Sequence, residues 1–227
     1  MAIRQSTLKF DRKEMIHLLY IAGIQHFDPL CRDRLLNWLK KLEKSHDNPP
    51  LFIAVEWDEN IFRKIAQQRP TLQHLAKKVW PQASLFFLEK LSEAMAFEAD
   101  THIESFPTVP TLWLENGRIV SPEIIENYAR DRLNVYRSFL SHEITGLNND
   151  ALQIMSKEAW NCSSKPSKGN SRDIKFAKLI SDHFNQLGNC WAIAIVGANH
   201  VSTVSEYMRS ILIEQGIKCD VTILNPK

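Results

Sequence analysis

Two stretches of the chain, YIAGIQHFDP at residues 20–29 and AIVGANHVST at 194–203, run an apolar segment into a glycine and place a histidine three residues beyond it. A short apolar run rich in Ile, Val, Leu and Tyr and closed by glycine has the form of a strand buried on both faces, which is the parallel-sheet pattern. Parallel neighbours need long crossover connections, normally helical. The chain must therefore alternate strands with helices. With seven glycines in 227 residues, two in the same Gly-x-x-His context are not compositional noise.

The segments around each motif agree with that form. IHLLYIAG predicts a strand closed by Gly23; PLCRDRLLNWLKKLEK carries Leu35, Leu39 and Leu42 on one helical face; SHDNPP turns the chain; LFIAVEW returns as a strand ending at Glu56. The second unit repeats the order. WAIAIVG is the strand, Thr203-Val-Ser-Glu206 is a capping box opening a helix, Gly216 stops it, and CDVTILN is the returning strand. A helix with Ala177, Ile180, Phe184 and Leu187 on one stripe precedes this unit. Between the units the pattern predicts helices at about 59–68, 71–79, 89–98, 122–140 and 149–160, and a strand at PTLWLE. NCSSKPSKGNSRD, residues 161–173, has no apolar periodicity and is expected to be a mobile loop; it lacks the Walker A spacing. The expected fold is one α/β domain over 1–227: a mostly parallel sheet flanked by helices, with two pseudo-repeated strand-GxxH-helix-strand units.

Composition limits the function classes. Lys and Arg total 28 against 26 acidic residues, for a net charge of +2, with no long run of one sign, so nucleic acid is not an expected partner. No stretch approaches the ~20 apolar residues of a spanning helix, and no membrane partner is expected. The four cysteines form no Cys-x-x-Cys pair, which argues against a disulfide framework or zinc ribbon and fits a cytoplasmic protein. SHEITG at 141–146 lacks the second histidine of a metalloprotease helix.

A histidine just beyond the carboxyl end of a parallel strand lies in the crevice where open α/β sheets bind ligands, so His26 and His200 are expected to converge on one pocket. Glu56, leaving an apolar strand, reaches the same rim and needs a partner there: His26, an arginine or a metal.

These residues resemble a known family. GIQH, the AVEWD strand and the closing SRDIKFAKLI…IAIVGANHVSTVSEYMRSILIEQGIKCDVTIL are similar to the TraB/Tiki family, within the group that includes erythromycin esterases and ChaN-like haem-binding proteins. The resemblance implies a compact α/β domain with site residues on strand-end loops: His26 and His200 as the two histidines, Glu56 as the acid, and Arg172 as the arginine that opens the preceding helix. FEADTHIESF and PTLWLENGR resemble two middle segments and imply Asp100 and Glu115 as further pocket residues, although Phe97 and Glu98 stand where the family has its glycine. The implied function is hydrolysis of a peptide, amide or ester bond in a peptide or small-molecule substrate. Arg172 would stabilise the oxyanion. A histidine would act as general base, or His26, Glu56 and His200 would hold a divalent Mn, Co or Zn ion. The alternative is a binding or regulatory module of the same fold, holding haem or a peptide without turnover.

Overall fold

The computed structural model describes residues 17–140, 146–162, 171–184, 190–202 and 204–226. Five strands, β1 (His17–Ile24), β2 (Ile53–Val55), β3 (Thr111–Trp113), β4 (Cys190–Gly197) and β5 (Ile217–Ile223), form one sheet in the order β3-β2-β4-β1-β5. Every pairing is parallel. The fold is α/β, as the two motif strands require.

Alternation along the strands builds a core on each face. Leu19, Ile21, Ala54, Ala192 and Ala194 point one way, into Phe176, Ala177, Ile180 and Phe184 of α8 (Ser171–Phe184) and Met208 and Leu212 of α10 (Val204–Glu214). Ala22, Ile24, Ile53, Val55, Ile193 and Ile195 point the other way, into Leu35, Leu39 and Leu42 of α1 (Cys31–Ser45) and Phe97 and Phe106 around α5 (Glu98–Ser105). A separate helical core gathers α2 (Glu59–Ala66), α3 (Arg69–Val79), α4 (Leu85–Glu93), α6 (Pro122–Phe139) and α7 (Asn149–Cys162).

Three expectations need correction. β1 does not stop at Gly23: the strand continues to Ile24, with Gly23 paired to both Val196 and Ile223. The helix expected over 89–98 is two helices, α4 and α5, separated by a turn in which Ala96 adopts φ 52. Arg69 holds that turn through the carbonyls of Met95 and Ala96, and Arg132 through the carbonyl of Ala94. The two GxxH units are also not alike in detail, because His26 sits in a turn whereas His200 lies in a short helix, α9 (Ala198–Ser202), that starts directly after Gly197. Of the expected loop 161–173, residues 163–170 lie outside the described residues, as do Leu187 and Thr203, and with Thr203 the expected capping box; residues 161–162 end α7 and 171–173 open α8.

Candidate functional site

The motif strands are neighbours in the sheet, and their register sets Ile24 beside Gly197. β2 lies on the other side of β4, so Glu56, one residue past β2, meets the same end; its backbone N–H donates to Ile195. Three segments far apart in sequence thus deliver His26, Glu56 and His200 to the carboxyl edge of the sheet.

Glu56 is the hub. Its Oε1 accepts from Arg172 (2.9 Å) and lies 2.9 Å from His200 Nε2, while its Oε2 accepts from the Gly197 N–H at 2.6 Å and stands 4.0 Å from His26 Nε2. Burial alone would raise the Glu56 carboxyl; the His200 hydrogen bond and the charges of His26 and His200 more than reverse this and hold it at about 2. Arg172, the second residue of α8, donates from Nε to Glu115 at 2.6 Å as well. Glu115 follows β3 and faces the site because the turn after it is tied down. Asp58 caps α2 through the N–H groups of Asn60 and Ile61, and its other oxygen accepts from the Gly117 N–H. The structure therefore brings together His26, Glu56, Arg172, His200 and Glu115.

Asp100 is not among them. It pairs with Arg69 at 2.5 Å and lines a different cavity, with Phe62, Ile103 and Trp113. The same α5 turn instead sends Glu98 inward. Residues two apart on a helix do not share a face, so only one of the pair can reach the sheet end. Glu98 is buried and its Oε1 lies 2.6 Å from His26 Nδ1. Burial opposes its charge, but the bond to His26 and the imidazole's charge hold the Glu98 carboxyl below the usual range. Residue-level reasoning also passed over Asp173, which is fully buried with Oδ1 3.0 Å from His200 Nδ1. Its signal was present, since Asp173 stands one turn before Ala177 on the same apolar stripe as Phe176, Ile180 and Phe184, a buried position for an acid beside Arg172. Glu98 carried a weaker one, an acid directly after Ala-Phe in a helix's first turn.

These partners separate the two histidines. His200 has a carboxylate on each ring nitrogen, an arrangement that requires both nitrogens to donate and so holds the ring as imidazolium. Burial lowers its pKa, but Glu56 and Asp173 outweigh that and raise it. His26 has a hydrogen-bonded carboxylate only at Nδ1; Glu56 Oε2 stands 4.0 Å from Nε2, which has no partner in hydrogen-bond reach among the described residues. Its side chain is 29% exposed against 9% for His200. For His26, burial again lowers the pKa and Glu98 and Glu56 offset it to a net rise. Arg132 fixes the ring's backbone by donating to the His26 carbonyl and stacks over Phe27, 4.7 Å from the ring centre.

A cavity of about 270 Å³ opens beside this cluster, lined by His26, Glu56 and Arg172 and by Phe27, Trp57 and Tyr128 among others. Gly197 closes the floor between the ionisable groups: a Cβ there would lie 3.1 Å from His26 Nε2, 3.2 Å from Glu56 Oε2 and 3.5 Å from His200 Cδ2. Gly117 is required for another reason, its φ of +82, with nothing within 4 Å of a Cβ. Gly197→Ala is expected to displace His26 or Glu56 and impair ligand binding, whereas Gly117→Ala lowers stability by about 1 kcal/mol and spares the site. Melting curves and ligand titrations on both variants check this, and equal binding by the two would contradict it.

The residues do not fit a divalent ion as arranged. Among the described residues, no group of three or more His, Cys, Asp or Glu side chains is placed to hold a metal. Glu56 Oε1 is already shared by the Arg172 guanidinium and His200, so an ion there would face a fixed cation. Comparison of the chain with family models, curated proteins and solved structures finds no match. No helix among the described residues is long and apolar enough to cross a membrane.

Proposed function

We propose that the protein is a hydrolase of ester, amide or peptide bonds in which His26 is the general base and no metal step is needed. The observation that carries this reading is the asymmetry of His26: Nδ1 is held by the buried Glu98 while Nε2 faces the cavity, the arrangement of an oriented catalytic imidazole. A water at Nε2 loses its proton to the ring as it attacks the substrate carbonyl. Glu98 stabilises the imidazolium that forms, and the same proton then passes to the leaving alkoxide or amine. Arg172, braced by Glu56 and Glu115, offers a fixed cation at the cavity wall for the developing oxyanion. His200 stays cationic and buried, and its part is to hold Glu56. The resemblance to the TraB/Tiki and erythromycin esterase group supports histidine-assisted hydrolysis; among the described residues no donor set for the metal-dependent version of that group is assembled.

The pH dependence follows from the sign of the His26 shift. Its folded pKa lies above 6.5, so the neutral base is scarce at acid pH and kcat/KM is expected to rise with pH through a pKa above 6.5 to an alkaline plateau. Activity on a panel of p-nitrophenyl esters and anilides, with EDTA present throughout, checks it. A profile that falls above pH 6.5, or activity abolished by the chelator, would reject the histidine-base reading. The alternative, a module that holds haem or a peptide without turnover, draws on the apolar wall of Phe27, Trp57, Ile61 and Ile65. A one-to-one Soret shift with haemin, without turnover of any ester or anilide, would favour it.

A further inference from the structure

We propose that the cavity beside His26 selects small amphipathic carboxylates, seating an apolar acyl or aromatic body against Phe27, Trp57, Ile61 and Tyr128 and a free carboxylate on Arg118. As a statement of substrate class this rests on the hydrolase reading above; as a statement of binding it does not.

Cationic side chains outnumber carboxylates around the cavity. Arg118, Arg172 and His26 line it, and Glu56 is the one carboxylate among its lining residues. Both Glu56 oxygens are taken up by Gly197, His200 and Arg172, so it presents little negative charge outward. Arg172 is countered by Glu56 and Glu115. Arg118 differs: among the described residues no carboxylate lies within ion-pair distance of it. It is exposed, its backbone fixed by the N–H bond to Glu115 that closes the turn at Gly117. A guanidinium beside low-dielectric walls is a strong seat for a carboxylate, because its planar fork matches the two oxygens and the walls focus its field.

The remaining lining fixes the other end of the ligand. Phe27, Trp57, Ile61, Ile65, Val120, Ile124 and Tyr128 supply an apolar wall, and Ile124 is left 56% exposed at it. Covering such surface is favourable by about 25 cal/mol per Å². The volume, about 270 Å³, lies just below the roughly 300–1,000 Å³ usual for ligand pockets, which limits the ligand to a small molecule or a chain end. A ligand the size of an acylated amino acid fits this description, and so does the last residue of a peptide with its free carboxyl end. The shared chemistry is an apolar group with a carboxylate a few bonds away.

The test is isothermal titration of the full chain with N-acetyl-phenylalanine and with its neutral amide, repeated on Arg118→Ala, with melting curves to verify folding. The acid is expected to bind at least about tenfold more tightly than the amide, and Arg118→Ala to erase that difference without changing the amide's affinity. A tetrapeptide ending in phenylalanine separates the sources. Binding as tight as that of the acylated amino acid identifies a peptide carboxyl end, and markedly weaker binding identifies a free small acid. Equal affinity for acid and amide in the unaltered protein, no binding of either, or an acid preference that survives Arg118→Ala would overturn the proposal. Acid-selective binding with no turnover of any ester or anilide would leave this proposal standing and remove the hydrolase reading.

Discussion

His26→Asn is expected to lower kcat/KM roughly 10²- to 10⁴-fold while leaving the fold intact, the largest effect on activity of any single change considered. Asparagine places an amide near the position of Nδ1, so the buried Glu98 keeps a donor, and it removes Nε2, the atom that faces the cavity. Stability and chemistry are thereby separated at one residue. Rates measured beside urea unfolding curves decide the matter: a His26→Asn variant that folds and retains most of its activity eliminates His26 as the base. Glu98→Gln is the companion change. It acts through the ring's orientation and charge, so its mark is a downward shift of the pKa seen in the pH–rate profile, which a residue of merely structural use would not move.

The second large effect is on stability, from Glu56→Gln. The fall of the Glu56 carboxyl from 4.5 to about 2 corresponds to about 3 kcal/mol of folding free energy at neutral pH. Removing one member of a buried ionic cluster costs a comparable ~3–5 kcal/mol. The sign is definite, because a depressed carboxylate contributes fully above its unfolded pKa and loses that contribution as pH falls through its folded one. Glu56→Gln should therefore be less stable than the unaltered protein by about 3 kcal/mol at pH 7, and the gap should close between about pH 4.5 and pH 2. Denaturant midpoints at several pH values test this. A gap that is absent at pH 7, or that does not change with pH, would show that Glu56 does not anchor the cluster.

How much of this was written in the sequence differs from residue to residue. The sheet was legible because WAIAIVG and IHLLYIAG are apolar at nearly every position, which only a strand covered on both faces tolerates. His26, Glu56 and His200 were legible because each follows closely on such a run. What could not be read was the strand order. The first unit puts β2 next after β1 along the chain, yet β4 lies between them in the sheet. Nothing local encodes which parallel neighbour a strand takes, because that choice depends on how the helices cover the two faces. The carboxylates behind the histidines were hidden for a related reason. Glu98 and Asp100 are two acids on one short helix, and which of them turns inward is decided by the bend at Ala96, where Arg69 and Arg132 hold the carbonyls of the turn. Sequence similarity pointed to Asp100, and the rotation of α5 delivered Glu98.

The placement of β4 also governs how the molecule can be assembled. During synthesis β1, β2 and β3 emerge long before residues 190–197, and until then the centre of the sheet is a slot with unpaired edges on both sides. The strand that fills the slot carries Gly197 and leads into His200, so the step that joins the two halves of the sheet also supplies the N–H and imidazole that Glu56 needs. Contacts this distant in sequence form slowly and leave the open edges exposed to chaperones or to pairing with other chains in the meantime. A chain made only as far as β3 therefore lacks both the central strand and a complete site, and ligand binding becomes a direct report that β4 has taken its place.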